Sequence, residues 1–226
     1  MVESRWNRWK VALVVGLVGV ILSGNPLARA GLRPGGKQWH FDGDAVGRVA
    51  AGFEAATGRW AVVEDPGASS GTHVLAQLAA SADDVFNVAL ATGTSFKDVE
   101  LTVRLRAVQG RVDQGGGVVW RAQDANNYYI ARYNPLEDNF RVYKVVNGRR
   151  RMLEGSRVTV DHAAWHTLRV VMKGDHIECY LDGKKYLEAR DDTFGVAGKV
   201  GLWTKADART HFDDLAVVPV GMGETP

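Results

Sequence analysis

The sequence predicts an all-β protein, a two-sheet antiparallel sandwich of the jelly-roll kind built as one domain. Three observations carry that expectation. Phe96–Val108 runs in period two, with Val99, Leu101, Val103 and Leu105 on one face and Glu100, Thr102, Arg104 and Arg106 on the other; this is the pattern of a strand with one wet face. Asn147-Gly148 and Asp182-Gly183 are strong hairpin signals, because both central residues of a type I′ turn need positive φ. About a dozen short apolar and aromatic segments are punctuated by turn residues, with no long amphipathic helix among them.

Residues 1–30 stand apart from the fold. Arg5, Arg8 and Lys10 form a basic start, Val11–Leu22 is an uncharged apolar run, and Ala28-Arg29-Ala30 closes the segment. This layout predicts a cleavable signal peptide with cleavage after Ala30. The alternative is an uncleaved anchor, but the run is shorter than the roughly 18 apolar residues a spanning helix needs. The expected mature chain is extracytoplasmic, periplasmic or secreted, and does not span the membrane. The whole sequence holds 28 Lys and Arg against 26 Asp and Glu. Residues 1–30 contain four of the basic groups and only Glu3 among the acids, which leaves 24 basic against 25 acidic. A chain so balanced lacks the basic stripe of a nucleic-acid binder, so no nucleic-acid partner is expected. Arg149-Arg150-Arg151 reads as a solvated hairpin arm. The single Cys179 excludes an internal disulfide and, alternating with Ile177 and Leu181, reads as a small buried hydrophobe.

Residues 31–37 are Gly- and Pro-rich and are expected to be a flexible lead-in to a sandwich over 38–220, with 221–226 as a tail. Within the sandwich, Gln38–Phe41 is a short strand candidate, and Val46–Thr57 is read as an irregular connection because of its glycines. Arg59–Glu64 alternates and ends at the turn Asp65-Pro66-Gly67. Thr72–Ala79, Phe86–Ala91 and the long Phe96–Val108 follow. The centre of the chain is Gly115–Gly148, with strands expected at Gly117–Arg121, Asn127–Tyr133 and Asn139–Val146; its rings suit half-buried sheet positions. Arg150–Glu154, Trp165–Lys173, Asp175–Leu181, Lys184–Ala189, Lys199–Lys205 and Thr210–Val218 complete the set.

The order of motifs adds a family. Trp60–Asp65 reads W-x-V-x-E-D, Phe96–Val103 F-K-D-V-E-L-T-V, and Gly116–Arg121 G-G-V-V-W-R leading into N-Y-Y-I-A-R-Y-N at Asn127–Asn134. Trp165–Val170 (W-H-T-L-R-V), Tyr180–Lys185 (Y-L-D-G-K-K) and the run from Asp191 to Leu215 follow. Over about residues 59–218 the chain resembles the 3-keto-disaccharide hydrolase family, often labelled family-16 glycoside hydrolase-like, among the concanavalin A/laminin-G-like jelly rolls. The resemblance implies two curved sheets, the concave one open to saccharide, in extracytoplasmic bacterial proteins. Where many members carry an acid in a G-Y-E-like strand, this chain places Tyr129.

A glycosidase of the usual kind needs two carboxylates flanking the bond, and no E-x-D-x-x-E pattern occurs here. Glu100, Glu137, Asp138, Glu178, Glu188, Asp191 and Asp192 lie on or beside strands without a spacing that pairs them. A saccharide-binding face asks less: flat rings and a few polar groups. If Val118 and Trp120, Tyr128 and Ile130, Phe140 and Val142, and Val200 and Leu202 point inward, then Arg121, Tyr129, Arg141, Tyr143 and Trp203 point outward and are the candidate ligand contacts. The six histidines show no metal-ligand spacing, and a single Cys argues against a structural zinc. Asp42, Asp44, Asp213 and Asp214 offer a weaker structural calcium site if the chain ends meet, although turn chemistry explains them as well. No other cofactor is implied. The expected function is an exported module that holds a saccharide or glycan ligand on its concave sheet. A hydrolase of glycosides or 3-keto-disaccharides is the alternative, and a non-catalytic envelope interaction domain the second.

Overall fold

A computed structural model describes residues 34–221. The segment expected to be a signal peptide, the start of the lead-in and the tail beyond Gly221 lie outside the described residues. The strands are β1 (Lys37–Trp39), β2 (Phe53–Thr57), β3 (Trp60–Glu64), β4 (His73–Gln77), β5 (Phe86–Ala91), β6 (Val99–Gln109), β7 (Gly116–Asp124) and β8 (Asn127–Asn134). They continue with β9 (Asn139–Val146), β10 (Arg149–Arg157), β11 (His166–Lys173), β12 (His176–Leu181), β13 (Lys184–Arg190), β14 (Lys199–Lys205) and β15 (Arg209–Pro219). Among the described residues no helix is long and apolar enough to cross a membrane.

The strands form two antiparallel sheets. One has the order β13-β12-β11-β6-β15-β4-β3, with β1 paired to β15; the other has the order β10-β9-β8-β7-β14-β5-β2. β6 alternates buried and half-buried residues along most of its length, as its period-two sequence demands, and lies between β11 and β15. Its inward residues Val99, Leu101, Val103 and Leu105 join Trp60, Leu75, Trp120, Phe140, Leu202 and Phe212 in the core between the sheets. Burial of each such side chain contributes about 1.5–3 kcal/mol, which is what offsets the entropy of ordering so many short strands. Cys179 is part of this core.

One connection is more ordered than its glycines suggest. Within Val46–Thr57, Gly47 and Gly52 take positive φ in turns, but Phe53–Thr57 is strand β2 and pairs with β5. Phe53 anchors it, with its ring centroid 5.4 Å from Trp39 and 5.9 Å from Phe41.

The second sheet is strongly curved, and the outer face is the concave one. Arg150 on β10 and Phe86 on β5 are five strands apart in the sheet order. With neighbouring strands about 4.8 Å apart, a flat sheet would separate them by about 24 Å. The Arg150 guanidinium nevertheless lies 5.3 Å from the Phe86 ring centroid. The face that carries both must fold towards itself.

Candidate functional site

The concave face of the second sheet carries a cluster separate from the main core: Val88, Leu90, Val119, Tyr128, Ile130, Tyr143, Val145 and Trp203. Strand register brings them together, since Trp203 is opposite Gly117, Gly117 opposite Arg132, and Arg132 opposite Arg141. Gly117 forms the floor between Trp203 and Arg132. A Cβ there would sit 1.8 Å from the Ala131 carbonyl oxygen, so no other residue fits this backbone.

Guanidinium groups stack on the rings. Arg150 lies 4.4 Å from the Tyr143 centroid and 5.7 Å from that of Trp203, and Arg132 lies 6.0 Å from Tyr143. Contacts of this kind contribute about 0.5–1 kcal/mol when exposed and 2 or more when desolvated. Trp203 Nε1 donates to the Tyr128 hydroxyl at 3.1 Å, which ties β14 to β8. Arg150 is therefore not part of a wholly solvated arm; Arg149 and Arg151 are exposed while Arg150 turns onto the concave face.

Two carboxylates share Arg132. Its Nη2 donates to Glu137 Oε2 at 3.0 Å, and Nη1 is 3.7 Å from Asp113 Oδ1. Asp113 is 2% exposed; Asn134 Nδ2 donates to it at 3.0 Å and the Lys205 ammonium is 3.8 Å away. Burial pushes the Asp113 carboxyl up despite the nearby cations Arg132 and Lys205. For Glu137 burial acts in the same direction, but hydrogen bonds from Asn139 and Arg132 and the Arg132 charge outweigh it and hold the group low. The loop that presents Asp113 is fixed by Asp207, whose carboxylate accepts from the backbone N–H groups of Arg111, Val112 and Asp113 at 2.8–3.1 Å.

Beside this cluster the concave face opens. Glu137, Asp138, Asn139, Arg141, Met152, Gly155, Ser156 and Arg157 line a cleft of about 370 Å³ over β9 and β10. Arg141 Nη1 lies 3.5 Å from Glu137 Oε2, so Glu137 joins the cleft to the buried Arg132.

The family model of the 3-keto-alpha-glucoside-1,2-lyase-like domain matches residues 37–217, nearly the whole sandwich. The chain belongs to this family. Among solved structures, the chain is similar to a carbohydrate-binding module, CBM66, from Bacillus subtilis, at 21% identity and TM-score 0.62 over 73% of this chain and 93% of that one. It is also similar to the Crh5 transglycosylase in its apo form, at 12% identity and TM-score 0.58 over 87% and 91% of the two chains. A third is a putative glycosyl hydrolase from Parabacteroides distasonis ATCC 8503, at 15% identity and TM-score 0.52 over 81% and 100%. At these identities the likeness is one of fold. A comparison with curated proteins returned no match.

Of the five ligand contacts expected from sequence, this member of the 3-keto-alpha-glucoside-1,2-lyase-like family brings three to one face. Arg141, Tyr143 and Trp203 share the concave side, with Arg141 on the cleft and the two rings packed in the cluster behind it. Arg121 and Tyr129 are elsewhere. Arg121 sits at a bulge with φ 46° and is buried. It gives its donors to the carbonyls of Lys97, Phe194 and Gly174 and to Asp98 at 2.6–3.1 Å, pinning three loops. Tyr129 faces the core between the sheets, stacked on Trp120 at 5.6 Å, and its hydroxyl donates to Asp191 Oδ1 at 2.6 Å. The expected register of β8 is thus reversed: Tyr128 and Ile130 face the concave side, while Tyr129, Ala131 and Tyr133 face the core.

Of the four aspartates expected at the chain ends, Asp42, Asp213 and Asp214 meet at the loop 69–73, while Asp44 bonds elsewhere. Asp42 accepts from the N–H groups of Thr72 and His73, and Asp213 and Asp214 accept from Ser69 and Ser70. Asp44 accepts from Ala51 N–H and His40 Nδ1 is 2.7 Å from Asp214. These bonds are turn and loop chemistry. The contacts that sequence reasoning missed are Arg132, Arg150 and Asp113. Arg132 sits in the N-Y-Y-I-A-R-Y-N motif, and Asp113 stands as an acid in the loop before the triple glycine Gly115–Gly117.

Proposed function

We propose that the protein is an exported saccharide-binding domain whose ligand lies in the concave cleft over β9 and β10. The observation that carries this reading is an open, polar cleft over β9 and β10, lined by Glu137, Asn139, Arg141, Ser156 and Met152. Such a cleft gives a sugar hydroxyl partners beside a small apolar patch. Arg141, Glu137 and Asn139 supply hydrogen bonds, and Met152 supplies exposed apolar surface. Family membership and the likeness in fold to a carbohydrate-binding module support the reading. The layout of residues 1–30 supports export. Calorimetry with neutral gluco-oligosaccharides tests it. Binding should weaken about tenfold or more in Arg141→Ala, the loss of a hydrogen bond to a charged group; an absence of binding by the unaltered protein overturns the reading.

A second reading is catalytic. Asp113 and Glu137 are pushed in opposite directions while sharing Arg132, and a carboxyl pair so separated is suited to acid and base roles. Turnover of 3-keto-glucosides that disappears in both Asp113→Asn and Glu137→Gln would favour it. Turnover that survives both would exclude this pair.

A further inference from the structure

Strands β12 and β13 form a hairpin at the edge of the first sheet. Ile177, Cys179 and Leu181 point into the core, so the period of two turns His176, Glu178 and Tyr180 to the outer face. Glu178 and Glu188 are directly opposite each other on the two strands, and like charges so placed repel. His176 Nε2 lies 2.9 Å from Glu188 Oε1. One ligand atom from each of His176, Glu178 and Glu188 falls within 4.8 Å of the other two. The three side chains are 32%, 25% and 54% exposed, so a solute reaches them from solvent.

A cation is already drawn to the point between the two carboxylates. Lys185 Nζ donates to Glu178 Oε1 at 3.0 Å and to Glu188 Oε2 at 2.7 Å. Its side chain is 42% exposed, and ion pairs at such sites contribute little, so the ammonium can swing aside for a stronger cation. Arg190, opposite His176 in register, is bonded to Asp175 at 2.8 Å. Glu178 is held from behind: the Tyr180 hydroxyl donates to its Oε2 at 2.9 Å, and the Arg169 guanidinium lies 3.9 Å from the centroid of the Tyr180 ring. Support of this kind orients a metal ligand.

We propose that His176, Glu178 and Glu188 bind a divalent transition metal of the zinc class, which displaces the Lys185 ammonium and clips the edge strand β13 to β12. Imidazole nitrogen and carboxylate oxygen are ligands that zinc takes at about 2.0–2.2 Å, whereas calcium wants six or more oxygens. Ligand atoms at that range stand about 3.4 Å apart around a tetrahedral ion, so small side-chain rotations close the group. Three protein ligands leave the fourth position to water. The site lies on the other sheet from the cleft and does not depend on the saccharide reading. Spacing along the chain hides it, because Glu188 meets His176 and Glu178 only through the pairing of the hairpin.

The test titrates zinc, and separately calcium, into the full protein by calorimetry, with thermal denaturation alongside. One equivalent of zinc should bind and raise Tm. His176→Ala and Glu188→Gln should each weaken binding by at least about tenfold, a loss that even the outer supports of a metal site produce. Lys185→Met should act in the opposite direction and tighten it about two- to fivefold, because the competing ammonium is gone. None of these side chains is buried, so the variants are expected to fold. Absence of zinc binding, or binding that survives both His176→Ala and Glu188→Gln, overturns the site. Calcium binding as tightly as zinc overturns the metal class, and weaker zinc binding in Lys185→Met overturns the displacement.

Discussion

Trp203 is fully buried and gives its only side-chain donor to the Tyr128 hydroxyl. Tyr128→Phe keeps the ring but leaves that indole N–H without its acceptor. The expected cost is about 1–3 kcal/mol, the penalty for an unsatisfied buried donor, read from urea denaturation. A loss near zero would mean that the bond contributes little to the cluster. Residue-level register was hard to read here for a physical reason. In β8 the sequence Tyr128-Tyr129-Ile130-Ala131 is apolar on both faces, because one face meets the core and the other the concave cluster. Alternation reports inside and outside only when one face is wet. The same ambiguity hid Arg132, a buried cation in a strand that otherwise reads as core.

At the scale of elements, the turns followed from local chemistry. Asn147 and Gly148 take φ of 50° and 75°, and Asp182 and Gly183 take 49° and 80°, as the two-residue hairpin requires. Glycines differ in what a side chain would meet. At Gly183 nothing lies within 4 Å of where a Cβ would stand, so Gly183→Ala should cost about 1 kcal/mol through its positive φ alone. At Gly117 the methyl would collide with the Ala131 backbone at 1.8 Å. Gly117→Ala should cost at least about 3 kcal/mol, or prevent folding, because strands β7 and β8 must separate. Thermal denaturation of the two variants checks the contrast; equal effects would refute it. Strand β2 was not legible, since its ordering depends on a pairing with β5 and on Phe53 meeting Trp39 and Phe41.

For the whole molecule, acid should be destabilising. Burial raises Asp42, Asp65, Asp191 and Asp207, but hydrogen bonds and nearby cations prevail and leave all four below their ordinary value, Asp191 at about 2. Glu137 behaves likewise. Each binds protons less readily folded than unfolded, so its contribution is complete above the unfolded values of 3.8 and 4.5 and disappears as pH falls through the folded ones. Asp113 and Asp213, raised by burial, act in the opposite sense, and they are fewer. The urea midpoint should therefore fall between about pH 5 and pH 2, and Asp191→Asn should flatten the lower part of that decline. A midpoint independent of pH over this range would show that these bonds do not matter to stability. The all-β architecture, the hairpins, the long alternating strand and the family resemblance were readable along the chain, because each depends on spacing or on motifs within short segments. The curvature that brings Arg150 to Phe86, the convergence of Arg132, Asp113 and Glu137, and the separation of Arg121 and Tyr129 from the site were not. These depend on which strands become neighbours across the sheets, and contacts between residues distant in the chain carry no local period to read.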